Sequence, residues 1–182
     1  SIIIYSVWLL SEIILNRLLR SGTSDKKNAD KGSLSRIWIA IFISIPLAVF
    51  ISMRYYFPVS VTYSIEYAGL GLIVFGILLR LAVIASLGKY FTVDVTIRSD
   101  HQLKKDGFYK YLRHPSYFAS LLSFIGFGIS LNNWLSLIIV TITILIVFIL
   151  RIKVEEKALI DQFGDEYIGY KKHTSALIPF IY

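Results

Sequence analysis

No cysteine occurs among the 182 residues, which excludes disulfides, thiolate nucleophiles and cysteine-based metal sites. Histidine is nearly as scarce. There are three, and no two stand at the close helical spacing of a zinc pair, so no metal is expected. Charge is thin: 17% of residues are Asp, Glu, Lys or Arg, against about a quarter in soluble domains. Nucleotide loops are lacking as well. Gly69-Leu70-Gly71 and Gly126-Phe127-Gly128 have G-x-G spacing, but they lie inside apolar runs with no preceding strand. They read as small-residue sites for helix packing in a membrane.

What is present is apolar. Ile, Leu, Val, Phe and their kin reach 55% and fall in long runs, not in the alternating or one-in-three patterns of a half-buried core. That composition makes the chain an integral membrane protein. The segments Ile2–Leu19, Ile37–Phe57, Ile65–Leu87, Tyr117–Leu131 and Trp134–Leu150 are the candidate spans. A helix needs about 20 residues to cross about 30 Å of hydrocarbon. The second and third segments meet that length. The fourth and fifth, joined by Asn132-Asn133, read as a tight helical hairpin. Glu12 and Asn16 interrupt the first, which carries neither the basic leader nor the cleavage site of a removable signal.

Lys and Arg sort by loop. Arg17, Arg20, Lys26, Lys27, Lys31 and Arg36 flank the first connection; Lys89, Arg98, Lys104, Lys105, Lys110 and Arg113 lie in the next long one; Arg151, Lys153, Lys157, Lys171 and Lys172 occupy the tail. The opposite side has Arg54. Short basic loops stay in the cytoplasm, which predicts an external amino terminus and a cytoplasmic carboxyl terminus. The +7 net charge is then a topology signal and an attraction to anionic membrane lipids, and no nucleic acid is needed to explain it. Ser21–Ser35, all small or polar but for Ala29 and Leu34, reads as a mobile loop. Tyr90–Leu112, rich in aromatic and β-branched residues, reads as ordered at the membrane surface. The last long helix is expected to run on to Phe163 and stop at Gly164.

Two polar clusters sit at the ends of apolar runs. Arg151 and Glu155 are four apart and share a helix face. By spacing alone they form a solvated ion pair worth a few tenths of a kcal/mol, or else a cation and an anion aimed at one ligand. Pro115 suits the first turn of a helix, so His114-Pro115 can simply open the fourth span. Around it, however, stand Tyr109, Tyr111, Arg113, Ser116 and Tyr117, and free N–H groups at a helix start favour an anion. Arg80 is expected to snorkel to the interface, Glu12 to pair with Asn16 or a neighbouring helix, and His173 to lie on the surface.

In order and spacing, about the last 95 residues resemble the isoprenylcysteine carboxyl methyltransferase family, which is close to the phospholipid N-methyltransferases. The matching stretches are Leu87-Gly88-Lys89-Tyr90-Phe91, His101-Gln102-Leu103, Gly107-Phe108-Tyr109, Arg113-His114-Pro115-Ser116-Tyr117, Arg151 with Glu155-Glu156, Phe163-Gly164-Asp165-Glu166-Tyr167 and Ile178-Pro179. The resemblance implies a membrane-embedded methyltransferase using S-adenosyl-L-methionine without a Rossmann domain. It implies cofactor contacts by His101, Gln102, Leu103, Lys104, Tyr109, His114, Pro115, Ser116, Tyr117 and Glu155, with Arg151 and Glu155 as the catalytic pair and Arg151 on the acceptor side. The chain departs from the eukaryotic pattern at Asp94, where those enzymes have glutamine, and it lacks their extra amino-terminal helices, so a prenylated protein is not implied as acceptor.

The fold expected is therefore all-α: an integral membrane helical bundle of about five transmembrane helices with a cytoplasm-facing cofactor pocket. It would form a single domain over 1–182, with three transmembrane helices in 1–88 and the cofactor-binding region in 89–182. The activity expected is methyl transfer to a lipophilic or lipid-anchored acceptor from the bilayer, such as the carboxylate of an isoprenylcysteine. Three alternatives stay open at this point: a phospholipid amine as acceptor, a sterol-reductase-like membrane reductase, and a non-enzymatic membrane scaffold.

Overall fold

A computed structural model of the chain describes residues 1–18, 32–62, 64–88 and 103–179. It shows the helices α1 (Ile2–Leu18), α2 (Ser33–Arg54), α3 (Ser64–Leu87), α4 (Pro115–Ser130), α5 (Trp134–Phe163) and the short α6 (Asp165–Lys171), with a 3-10 turn at Gly107–Lys110. Among the described residues there is no strand, only an isolated parallel bridge between Leu112 and Ser175. At about 1.5 Å per residue, α2, α3 and α5, with 22, 24 and 30 residues, are long and apolar enough to cross a bilayer. The apolar α1 and α4 have 17 and 16 residues.

These helices are apolar nearly all round, as helices in lipid must be. Phe42, Phe50 and Met53 on α2, Phe75 and Leu78 on α3, and Ile138, Ile142 and Ile146 on α5 are exposed, the last three repeating every fourth residue as one lipid-facing stripe. Inward, Trp8 meets Phe124 edge-on, with ring centroids 4.8 Å apart, in a core shared with Ile73, Phe127, Val140, Ile144 and Phe148.

Contacts at both ends fix the helix directions. Tyr5 bonds Ser130 and Glu12 faces Ser120, so α1 runs antiparallel to α4. Gly69 lies against Ser130 and Gly76 against Ala119, so α3 does too. Ser136 donates to Ala48 O at 2.7 Å while Arg151 reaches Ser33, which sets α2 antiparallel to α5. At one end, the Asn132-Asn133 turn is stitched to the α2–α3 connection. Asn132 adopts φ 46, accepts from the N–H groups of Val59 and Ser60 at 3.1 and 3.0 Å, and leaves Asn133 to cap α5 at Ser136 N. The hairpin is as tight as the sequence predicts.

Three expectations change. α2 begins at Ser33 rather than Ile37, so 33–35 are helix and not loop; Gly32, at φ 70, turns the chain into it. The rest of the expected loop, 21–31, lies outside the described residues, as does most of the Tyr90–Leu112 segment. Arg80 does not snorkel. Its Nη1 pairs with Glu12 and also donates to Ser120 at 3.1 Å, with side-chain exposures of 15% and 12% for the Arg–Glu pair. An ion pair between neighbouring helices satisfies both charges inside the bundle, and Glu12 thereby takes the neighbouring-helix partner. Finally, Gly71 is not a packing site.

Packing of α3 on α4 is set by small residues. A Cβ on Gly126 would stand 2.7 Å from Gly69 O and 2.8 Å from Ile73 N, whereas one on Gly71 would meet nothing within 4 Å. The backbones approach too closely for any side chain between them. Gly126→Val should therefore destabilise the protein by at least about 1–3 kcal/mol, the usual cost of overpacking, while Gly71→Val should be near neutral. Thermal unfolding of the two variants in one detergent checks this, and equal stability of both would remove the close-packing account.

Candidate active site

The site stands where the basic ends of α4 and α5 meet the chain beyond α6. Its floor is laid by backbone pairing. Arg113 N–H bonds Ser175 O at 2.9 Å, His114 N–H bonds Ala176 O at 3.0 Å, and Ser175 N–H bonds Tyr111 O at 3.0 Å. Those bonds hold His114 in a non-helical conformation just before Pro115, which opens α4 at its first position as the sequence predicts. The first turn of α4 thus brings the Ser116 and Tyr117 N–H groups to the site.

From α5 come Arg151, the first residue past the apolar run, and Glu155 and Glu156, one helical turn further on. Tyr117 donates to Glu155 Oε1 at 2.5 Å. Arg151 Nε donates to the same oxygen at 3.2 Å and lies 3.3 Å from Tyr117 Oη, while its Nη1 donates to Ser33 Oγ at the start of α2. Arg151 is 0% exposed, so it is not the solvated ion pair that spacing alone suggests. Desolvating a guanidinium is costly unless it is paired and hydrogen-bonded, and three helices converge to supply the partners.

His114 lies between two carboxylates, with Nδ1 3.3 Å from Glu155 Oε2 and Nε2 3.6 Å from Glu156 Oε1. Burial pulls its imidazole down, but the hydrogen bonds and charges of Glu155 and Glu156 outweigh that and hold its pKa above the usual histidine value. Glu156 receives Arg113 Nε and Lys171 Nζ, each at 2.6 Å. Arg113 Nη1 in turn donates to Thr174 O and, at 3.3 Å, to Lys171 O. Tyr170 OH donates to Tyr109 O at 2.5 Å, and burial pushes the Tyr109 phenol up, so it stays protonated at neutral pH.

Of the residues singled out from sequence, the structure gathers His114, Pro115, Tyr117, Arg151 and Glu155 directly. Tyr109 is buried beside them, and Ser116 is half-buried in the first turn of α4. Leu103 is half-buried and Lys104 pairs with Asp106 at 3.1 Å. His101, Gln102 and Asp94 lie outside the described residues. Arg113 and Glu156 flank the predicted residues in sequence, and that adjacency was their available signal. Ser33, Tyr170 and Lys171 gave none, because only the fold carries them here. His173 is exposed as expected.

A buried polar centre at one end of an all-helical apolar bundle defines the class, an intramembrane helical protein with a charged, hydrogen-bonded cluster at one end. Known proteins make it more specific. Residues 69–161 match the model of the isoprenylcysteine carboxyl methyltransferase (ICMT) family. The protein-S-isoprenylcysteine O-methyltransferase of Dictyostelium discoideum is 36% identical over 130 residues, covering 70% of this chain and 55% of that protein. The Arabidopsis thaliana protein-S-isoprenylcysteine O-methyltransferase B is 31% identical over 160 residues, covering 84% and 81%. The solved structure of the eukaryotic intramembrane Ras methyltransferase ICMT superposes with a TM-score of 0.62 at 29% identity, over 84% of this chain and 51% of that one. The chain belongs to the isoprenylcysteine carboxyl methyltransferase family, and spans little more than half the length of the Dictyostelium relative.

The raised pKa of His114 has a consequence for stability. A group more basic when folded stabilises the fold fully below its unfolded pKa of about 6.5 and loses that contribution as pH rises through the folded value. The thermal midpoint in detergent should therefore fall as pH is raised from the acid side of neutrality into the alkaline range, and His114→Gln should flatten that slope. An equal slope in both proteins would mean that His114 is not the group responsible.

Proposed function

We propose that this chain methylates the carboxylate of a lipophilic, isoprenylcysteine-like acceptor drawn from the bilayer, with S-adenosyl-L-methionine as donor. One observation carries the reading: in a member of this family, the buried His114–Glu155–Tyr117–Arg151 cluster stands at the end of an apolar bundle. The residues fit the donor. His114 Nε2 is buried without a hydrogen-bond partner, and Glu155 keeps 19% side-chain exposure, so both offer bonding capacity to a ligand. Bound there, S-adenosyl-L-methionine supplies a methyl group on a sulfonium leaving group. His114, Pro115, Ser116, Tyr117, Tyr109 and Glu155 would hold it, with His101, Gln102, Leu103 and Lys104 closing over it.

Carboxyl methylation needs no strong base, because the acceptor is already ionised at neutral pH. It needs alignment and exclusion of water, and the burial of this cluster provides for both. Charge favours an anion: among the described residues, Arg113, Arg151, Lys171 and a charged His114 are set against two carboxylates, Glu155 and Glu156. We place Arg151 on the acceptor side, where its planar fork suits a carboxylate, and Glu155 on the donor side. Because Arg151 Nε also rests on Glu155, the two roles are joined. The basic face is cytoplasmic in this reading, with the carboxyl terminus inside. Membrane lipids surround the bundle, and neither a metal nor a nucleic acid is required.

Four experiments test it. Purified protein with labelled donor should methylate N-acetyl-S-farnesylcysteine and leave its methyl ester untouched; label on phosphatidylethanolamine instead would move the acceptor to a lipid amine. Glu155→Gln should weaken S-adenosylhomocysteine binding by roughly ten- to a hundred-fold, the loss of a charged hydrogen bond. Arg151→Ala should lose turnover and part of that affinity together, and Lys should rescue poorly; full activity of Arg151→Ala would sink its assignment. For orientation, a tag after Tyr182 should be cytoplasmic and one before Ser1 external.

A further inference from the structure

Successive helix residues point about 100° apart, so adjacent side chains ordinarily serve different neighbours. Glu155 and Glu156 instead straddle one imidazole, Nδ1 on the first and Nε2 on the second. The two carboxylates are not equivalent. Glu156 is fastened at 2.6 Å each by Arg113, on a paired segment of the floor, and by Lys171, the last residue of α6. Glu155 is the more exposed of the two, at 19% against 11% of its side chain. His114 Nε2, although buried, has no hydrogen-bond partner and stands just short of one at 3.6 Å from Glu156.

We propose that Glu156 is the standby counter-ion of His114, a positioning residue that takes over the imidazolium when a zwitterionic amino-acid group displaces it from Glu155. The inference rests on the donor reading above, since S-adenosyl-L-methionine ends in an ammonium and a carboxylate on one carbon. Such a group can exchange with the His114–Glu155 pair charge for charge: its ammonium takes Glu155 and its carboxylate takes the freed Nδ1–H. No net charge is buried, which matters where an unpaired ion is costly. The exchange works only if His114 stays protonated while Glu155 is engaged elsewhere. Glu156 meets that condition with a small ring rotation that turns the 3.6 Å approach into a hydrogen bond, and its two cationic partners keep it from following the ligand.

The groups around His114 and its two carboxylates are Tyr117 on α4, Arg151, Glu155 and Glu156 on α5, Tyr167, Tyr170 and Lys171 on α6, and Tyr109 and Arg113 from the chain before α4. Both carboxylates favour the charged ring, and the three cations oppose it. Arg113 and Lys171 act across Glu156 and Arg151 across Glu155, so removing Glu156 leaves His114 with one anion that the ligand then takes.

The test is S-adenosylhomocysteine binding by calorimetry at pH 6 and pH 8.5, on the full chain and on Glu156→Gln. The full chain should bind about equally at both. Glu156→Gln should bind normally at the lower pH, where His114 is protonated anyway, and roughly tenfold more weakly at the higher one, by the linkage of proton and ligand binding. A pH-independent loss would mark Glu156 as merely structural, and no loss at either pH would overturn the proposal as well. A second measurement does not depend on the donor. The NMR titration of the His114 ring in ligand-free protein should move about one pH unit lower in Glu156→Gln, the effect of removing one nearby opposite charge. It should move higher in Lys171→Gln, a partly exposed position that spares the fold. Unmoved titrations would overturn the proposal even if S-adenosylhomocysteine binds; normal shifts with no binding by the full chain would instead overturn the donor reading.

Discussion

The guanidinium of Arg151 is sealed from solvent, and everything around the site follows from the need to satisfy it. Its Nη1 reaches Ser33 on α2, and its Nε spans Tyr117 on α4 and Glu155 on its own helix. A buried cation left without these partners would cost several kcal/mol. The requirement therefore reaches beyond one turn of α5: it draws the start of α2 and the first turn of α4 to the same point. The position of Tyr117 then fixes where α4 begins, and with it His114.

Buried ion pairs are weak evidence of stability, because desolvation consumes much of what attraction supplies. Two such groups in a small apolar bundle call for separate accounts. The Glu12–Arg80–Ser120 group joins α1, α3 and α4 within the bundle, between the same helices that Trp8 and the Gly69–Gly126 contact already pack together. It needs no ligand to be explained. The Arg151 group differs, because a second carboxylate, Glu156, stands across the His114 ring from Glu155 and is held there by Arg113 and Lys171. Packing alone does not require that arrangement.

Much of this is written locally in the sequence. Long apolar runs, Pro115 at a helix start, Asn132-Asn133 as a tight turn and Gly164 as a helix stop are short-range signals, and all appear where local chemistry puts them. The extension of α5 past its apolar run is similarly legible from its helical repeat. What local reading misses is the partner across space. The four-residue interval between Arg151 and Glu155 gives a shared face but not its burial, which depends on α2 and α4. Arg80 reads as a snorkelling side chain until α1 is placed beside it. Ser33 reads as loop because its role is to receive Arg151, 118 positions away. Lys171 carries no signal among the other basic residues of the tail; only the turn after Gly164 brings it to Glu156.

These long-range contributions also bear on how this member can differ from its relatives. The family match spans residues 69–161, which includes His114, Tyr117, Arg151, Glu155 and Glu156. Ser33 lies before it, and Tyr170, Lys171 and Thr174 lie after it. The inner ring of charged groups, with Arg113, thus belongs to the shared segment, while Ser33, which holds Arg151 from behind, and Lys171, which holds Glu156 from the side, come from flanking chain. A change in those flanks can alter how firmly either charge is held without touching a residue of the ring. In this chain the flanks therefore act on the ring through two contacts, Lys171 on the carboxylate of Glu156 and Ser33 on the guanidinium of Arg151.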